Sequence, residues 1–186
     1  QARQAGECVS GLADLVYRAG SPLLSNSLDL CHGYLGATYK IGDGIPEWLR
    51  GGNFKATHQF YQGNTFAHVV HGKCLLASGD WDRLEALAQD IPGLVGRYSN
   101  LFALLHGRLL LAVAQHNNMH RDEARQTLLQ AVELARPDGI LLSIAEYGEH
   151  VAPMLRKLHR ENPADKYLGA LFRLSSRFSV PESNEH

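Results

Sequence analysis

The feature that most constrains the fold of this chain is the apolar run from Asn100 to His116. Apart from its end residues, only His106 and Arg108 interrupt its hydrophobic character. A helix that is apolar on nearly every side is buried between neighbours. The run is also too short and too often interrupted to cross a bilayer. We therefore predict a fold of packed helices with this segment at its centre.

Composition agrees with a folded module whose charges nearly balance. The chain has 186 residues, of which 45% are hydrophobic and 20% charged, and its formal net charge is −1. This balance predicts a globular core and excludes the strongly basic composition of a nucleic-acid binder. Cys8, Cys31 and Cys74 form no CxxC pair, and their odd number favours reduced thiols. With no secretory signal and no membrane span, the predicted location is the cytoplasm.

Helical spacing of apolar residues runs along the whole chain, and no stretch shows the two-residue alternation of a strand. The prediction is an all-α fold of about eight helices, with antiparallel neighbours joined by short turns. We expect one helical-repeat domain over residues 1–180, cut from a longer protein, and a frayed tail at 181–186. The predicted helices cover 7–18, 26–41, one turn at 45–50, 58–78, 81 to a break or kink at Pro92-Gly93, 100–116, 121–135, 140–159, and a last helix opened by Asn162-Pro163.

One helical pattern occurs twice, over 58–91 and 100–135. Each copy has a long helix, a tight turn and an amphipathic helix, with a period of about 35 to 40 residues. The second helices align by residue size: Leu84, Ala88 and Ile91 with Ala124, Leu128 and Ala131. Gly72 and Ala112 supply the small residue of the first helices. This pattern resembles the tetratricopeptide repeat, and the resemblance implies a right-handed solenoid of helical hairpins.

A more specific resemblance comes from motifs in the later part of the chain. These are residues 135–140 (ARPDGI), 145–149 (AEYGE) and 153–155 (PML), together with 45–49 (IPEWL) and 79–81 (GDW). They resemble the tetratricopeptide-like, MalT-like helical region of LuxR-type transcriptional regulators. The resemblance covers roughly residues 26 to 175.

In that family, a nucleotide-binding module precedes the helical sensor region, and a helix-turn-helix that binds DNA follows it. This sequence contains no GxxxxGK[ST] phosphate loop and no basic recognition helix after Phe178. The resemblance therefore implies a sensor and coupling region, which would bind a small-molecule inducer, a peptide or a protein partner. DNA would be contacted only through a helix-turn-helix absent from this chain. A stand-alone tetratricopeptide-like interaction scaffold is the alternative, and homo-oligomerisation is left open.

Candidate ligand-binding residues follow from the repeat architecture, since a curved helical stack commonly binds its ligand on the concave face. First helices of each pair usually line that face, and aromatic and polar groups there suit a small molecule or an extended peptide. The candidates are Tyr61, Asn64, His68, Arg108 and Tyr147. The alternative for each is an ordinary surface or core residue.

A zinc site is the second kind of site that the spacing suggests. His68, His71 and Cys74 lie at i, i+3 and i+6, so they could share one helix face. A structural zinc site needs four ligands, usually including a close pair. We therefore predict packed or solvated histidines, with no metal and no cofactor.

Catalysis is the third possibility, because Glu146, Tyr147, Glu149 and His150 carry acid and base groups. No HExxH, GxSxG or comparable nucleophile arrangement accompanies them. Without converging acid, base and nucleophile, the prediction is a protein that is not an enzyme.

Overall fold

The computed structural model describes residues 2–40, 44–54, 61–95 and 100–178, without the side chains of 2, 61–64 and 95. These residues form ten α-helices and no β-strand, which confirms the predicted all-α fold. Two short helices, found in addition to the long ones, raise the number above eight. The chain divides into two compact units, residues 1–99 (unit 1) and 100–186 (unit 2). That residues 1–180 form one domain stays a prediction.

Unit 1 contains a hydrophobic core to which three of its helices contribute. Its helices are α1 (Ala2–Ala19), α2 (Pro22–Tyr39), α3 (Glu47–Gly51), α4 (Tyr61–Ser78) and α5 (Trp81–Val95). Helix α4 packs against α2, α3 and α5, whereas α1 packs on α2. Leu49 of the short helix α3 has no exposed surface and meets Ala67, Val70 and Cys74 of α4 in the core, together with Leu30 of α2. The predicted single turn after Pro46 is thus α3, and it anchors the loop to the core.

Unit 2 consists of two helix pairs and a short connecting helix. Its helices are α6 (Leu101–Asn117), α7 (Arg121–Ala135), α8 (Leu142–Ala145), α9 (Gly148–Glu161) and α10 (Lys166–Phe178). Helix α6 packs along α7, α9 packs along α10, and the single turn α8 contacts α6, α9 and α10. The structure therefore places α8 and the turn that follows it at the junction of the two pairs.

The apolar run is helix α6, as predicted. Asn100 caps it, because its side-chain oxygen accepts a 3.1 Å hydrogen bond from the Ala103 amide. Its large apolar side chains Leu105, Leu109, Leu110 and Val113 are essentially inaccessible. In the first turn Phe102 is 39% exposed, whereas Ala103 is fully buried.

The repeat positions identified in the sequence are core positions. Both predicted helix pairs are present: α4 packs against α5, and α6 packs against α7. The aligned residues of the second helices are all at most 1% exposed: Leu84, Ala88, Ile91, Ala124, Leu128 and Ala131. Gly72 and Ala112 of the first helices are buried as well. The alternation of small and large residues therefore reflects close helix packing.

Several predicted boundaries are wrong. Helix α1 begins at Ala2 rather than at Glu7, and helix α10 begins at Lys166 rather than at Asn162-Pro163. Helix α2 begins at Pro22 rather than near Asn26, because proline at the first helical position is favourable. Helix α5 does not break at Pro92-Gly93 but continues to Val95, with Pro92 in its last turn. The helix predicted over 140–159 is two helices, α8 and α9, interrupted at Glu146 and Tyr147. No described helix combines the length and the apolarity that crossing a membrane requires.

Candidate functional site

A buried polar cluster around His106 connects α6 to the turn between α8 and α9. The Tyr147 hydroxyl lies 2.8 Å from His106 Nδ1, and which of the two groups donates depends on the imidazole tautomer. The nearest Glu146 carboxylate oxygen is 3.5 Å from the same nitrogen. The side chains of His106 and Glu146 are 0% and 4% exposed. We call His106, Glu146 and Tyr147 the His106 cluster.

The turn that carries this cluster also contacts the end of α10. Gly148 follows Tyr147 directly and has a φ of +31°. Residues that carry a side chain rarely adopt this backbone conformation. A Cβ atom at Gly148 would lie only 3.0 Å from the carbonyl carbon, oxygen and Cβ of Phe178, the last residue of α10. The three residues 146–148 therefore contact α6 on one side and the C-terminal end of α10 on the other.

Burial limits what the His106 cluster can do chemically. The Phe102 ring lies over the imidazole, with 4.1 Å between ring centroids. Since His106 has no exposed surface and Glu146 almost none, a substrate cannot reach the proton-carrying atoms in this conformation. Buried polar groups that are hydrogen-bonded to one another fix the relative position of the elements that carry them. The arrangement thus suits a mechanical link between helices better than acid–base catalysis.

The ARPDGI motif forms a second link, between the end of α7 and the start of α10. The Arg136 guanidinium donates two hydrogen bonds to the Asp165 carboxylate, at 3.1 and 2.8 Å. One Asp165 oxygen also caps α10 by accepting from the amides of Tyr167 and Leu168. The Tyr167 hydroxyl donates to the Ile140 carbonyl at 2.6 Å. Hydrogen bonds from Arg136, and then from the Leu168 amide, lower the pKa of Asp165 to about 2.

In unit 1, His71 is a packed residue held by the backbone of α3. Its Nδ1 atom lies 2.8 Å from the Leu49 carbonyl oxygen, to which it donates when protonated there. A Cβ atom at Gly52, whose φ is +71°, would come within 2.7 Å of His71 Nε2. Burial lowers the pKa of His71, the bond to Leu49 opposes this change, and the charge of Arg83 lowers it further. The imidazole is therefore a neutral core group.

The structure describes the side chains of three of the five residues predicted to bind ligand, and these three are divided between the two units. The side chains of Tyr61 and Asn64 lie outside the described residues. His68 is half-buried in unit 1, with its ring 4.3 Å from that of Phe54.

Arg108 and Tyr147 both belong to unit 2, but they lie on different sides of α6. Arg108 donates to the Gln130 side chain of α7 at 2.7 Å. Tyr147, only 2% exposed, reaches His106 instead. Residues two apart on a helix point in nearly opposite directions, so Arg108 and the His106–Tyr147 pair lie apart. In this conformation the Tyr147 side chain contacts α6 and is too buried to contact a ligand.

The zinc arrangement considered for His68, His71 and Cys74 is not assembled in the described part of the chain. No three His, Cys, Asp or Glu side chains there are placed to hold a metal ion. Burial raises the pKa of the Cys74 thiol to about 11, so it stays protonated at neutral pH. A metal requires the thiolate form.

His106 and Asp165 are the structural centres that the sequence reasoning missed. His106 could have been found as the uncharged polar interruption of an otherwise apolar helix, since a buried polar group needs a partner elsewhere. Asp165 stands immediately before α10, where a carboxylate commonly caps a helix. Neither signal identifies Tyr147 or Arg136 as the partner, because those contacts join residues far apart in sequence.

Comparison of the chain with protein-family models, with curated proteins and with solved structures found no match.

Proposed function

We propose that this chain is the sensor and coupling region of a LuxR-type transcriptional regulator, with its hairpins stacked as a right-handed tetratricopeptide-like solenoid. The observation that carries the coupling role is the turn at 146–148. It contacts α6 through the His106–Tyr147 hydrogen bond and the end of α10 through Gly148. A displacement of α6 would thereby reach the last helix of the unit. In the family that the sequence resembles, the DNA-binding domain lies on the C-terminal side of this helical region.

The proposed mechanism is a shift between two conformations. An inducer, peptide or protein partner bound on the helical stack would favour one position of α6. This effect requires that the ligand bind the two conformations with different affinities. The module itself would act in the cytoplasm, without catalysis, and the helix-turn-helix outside this chain would bind DNA.

Two structural features fit a coupling role. The repeat positions are packed closely within each helix pair, so each pair can move as a unit. The motifs behind the resemblance also lie at the links between elements. Arg136 of ARPDGI joins α7 to α10, and Tyr147 of AEYGE joins the α8–α9 turn to α6.

The gene that encodes the chain provides the first test. We expect an in-frame helix-turn-helix downstream of residue 186. A stop codon immediately after the chain would contradict the regulator and leave the stand-alone interaction scaffold as the better explanation.

The second test measures coupling in the full-length regulator. A thermal-shift screen against sugars and peptides identifies a ligand, because a molecule that binds the folded state raises the melting temperature. DNA affinity is then measured with and without that ligand for the wild type, for Tyr147→Phe and for the matched control Tyr17→Phe, whose ring is 61% exposed in α1. We expect Tyr147→Phe alone to weaken the ligand's effect on DNA binding. An unchanged ligand effect in Tyr147→Phe would contradict coupling through the His106 cluster.

A further inference from the structure

Unit 1 contains a cleft that is lined by none of the residues forming the links of unit 2. Its walls come from the segment before α3, from α3, from the last two turns of α4 and from the first turn of α5. The volume is about 350 Å³, at the lower end of the range for small-molecule sites. The residues that define its chemistry are Ile45, Arg50, Cys74, Leu75, Ser78 and Arg83. We call it the α3–α5 cleft.

The α3–α5 cleft combines two cations with apolar lining residues. Arg50 enters from α3 and Arg83 from α5, and no carboxylate is among the described residues that line the cleft. Ile45 and Leu75 supply aliphatic surface. Cys74 adds a neutral thiol, because burial raises its pKa to about 11 against the opposing charge of nearby Arg50. The cleft therefore presents positive charge beside a small hydrophobic surface.

Both guanidinium groups are positioned but not saturated. Arg50 donates through Nη2 to the Ile45 carbonyl at 3.0 Å, which holds its side chain along the cleft wall. Arg83 forms a 3.2 Å ion pair with Asp80, in which the two side chains are 61% and 36% exposed. Such an exposed pair contributes little stability. A guanidinium has five N–H donors, so each arginine keeps donors for a further acceptor.

The chemistry of the cleft defines the ligand class. Arginine binds the planar carboxylate and the phosphate group through paired N–H donors. We propose that the α3–α5 cleft binds a small organic anion, with its carboxylate or phosphate between Arg50 and Arg83 and a short apolar body on Ile45 and Leu75. Only the identification of this anion as the inducer rests on the proposed function. Anion binding itself would hold for a stand-alone scaffold as well.

Binding is tested on the full chain by calorimetry and by NMR. The probes are phenylacetate and phenyl phosphate, with phenylacetamide as the neutral analogue and inorganic phosphate as the anion without an apolar body. We expect saturable binding of the two phenyl anions. Phenylacetamide should bind at least about tenfold more weakly, because it loses a charge-assisted hydrogen bond, and inorganic phosphate should bind as weakly, because it lacks the apolar contact.

Arg50→Gln and Arg83→Gln test the two cations separately. Both side chains are exposed, so both variants are expected to fold, which their helical circular dichroism confirms or refutes. Arg3→Gln is the matched control, because Arg3 is also an exposed arginine paired with a nearby acid on its own helix. We expect each cleft variant to lose about tenfold in affinity for phenyl phosphate, and the control to lose nothing.

The imidazole of His71 gives a readout independent of affinity. Arg83 lowers the pKa of His71, so an anion that neutralises this charge raises it. The His71 ring resonance should therefore titrate at higher pH in the presence of phenylacetate, and not in the presence of phenylacetamide. Equal binding of the neutral analogue, unchanged affinity in both cleft variants, or no binding of either phenyl anion would each overturn the proposal. The presence or absence of a downstream helix-turn-helix is unaffected by any of these results.

Discussion

At the scale of single residues, the buried polar side chains depend on specific partners. Lys73 of α4 is only 2% exposed, and its ammonium group lies 4.9 Å from the centroid of the Tyr34 ring. Burying a charge is costly unless a partner compensates for the lost hydration. The face of an aromatic ring attracts a cation and offsets part of this cost. His106 in unit 2 is also buried, and its neighbours are the Tyr147 phenol and the Glu146 carboxylate.

Removal of the Tyr147 hydroxyl tests the His106 cluster. Tyr147→Phe keeps the ring but takes away the 2.8 Å partner of His106 Nδ1. We expect the free energy of unfolding to fall by about 1 to 3 kcal/mol, the cost of leaving a buried polar group unsatisfied. Urea unfolding measures this change, with Tyr17→Phe as the exposed control. A loss equal to that of the control would show that the hydrogen bond contributes nothing to stability.

Asp165 gives a prediction about pH. Its folded-state pKa is about 2, whereas an unperturbed aspartate has a pKa of about 3.9. A lowered pKa stabilises the fold above the unfolded value, and this stabilisation is lost as the pH falls from about 5 to 1. Asn can still cap α10, so Asp165→Asn removes mainly the charge that pairs with Arg136.

We expect Asp165→Asn to cost about 1 kcal/mol at neutral pH, a value reduced because the Arg136 side chain is 34% exposed and solvent screens the pair. The difference from wild type should shrink as the pH falls below about 5 and vanish only near pH 1. Urea unfolding over a series of pH values measures it, with Asp138→Asn, an exposed carboxylate of the neighbouring turn, as the control. A difference as large at pH 1 as at neutral pH would show that charge is not its cause.

At the scale of secondary-structure elements, the junction of α8, α9 and α10 depends on one glycine. Gly148 has a positive φ, and the end of α10 occupies the space where its side chain would be. Gly148→Ala should therefore lower the free energy of unfolding by about 1 to 3 kcal/mol, through backbone strain and displacement of Phe178.

Gly93→Ala is the matched control for this substitution. Gly93 lies in α5, and no atom lies within 4 Å of the place that a Cβ would take there, so alanine should stabilise its helix by about 0.5 to 1 kcal/mol. Thermal unfolding of the two variants gives the comparison. If Gly148→Ala is as stable as the wild type, the close contact between the turn and α10 does not exist in solution.

The elements that sequence patterns predicted well are those whose residues obey local rules. Helix α7 begins at Arg121 and ends at Ala135, as predicted. Its apolar stripe is unbroken, and the sequence has a turn on each side of it. The break between α8 and α9 escaped prediction because Gly148 is set by contact with Phe178, far away in the sequence. For the same reason, the patterns placed Tyr147 on a ligand-binding face, whereas its hydroxyl lies against His106.

At the scale of the whole molecule, the two compact units differ in how they are held together. Unit 1 has a core formed by α2, α3 and α4. Unit 2 combines the packing of α6 on α7 and of α9 on α10 with the polar links at Arg136 and Tyr147. Long-range links within a unit make its helices unfold together rather than one by one.

Unit 2 should therefore fold as a separate protein. We expect residues 100–186 expressed alone to be helical and to unfold in one cooperative transition, with a free energy on the order of 5 kcal/mol. Far-UV circular dichroism during urea unfolding measures both properties. Arg136→Gln in the same fragment should shift this single transition to lower urea, since loss of one link destabilises every helix that it joins. A gradual, non-cooperative loss of helix in the unsubstituted fragment would mean that unit 2 needs the rest of the chain to hold α6 against its neighbours.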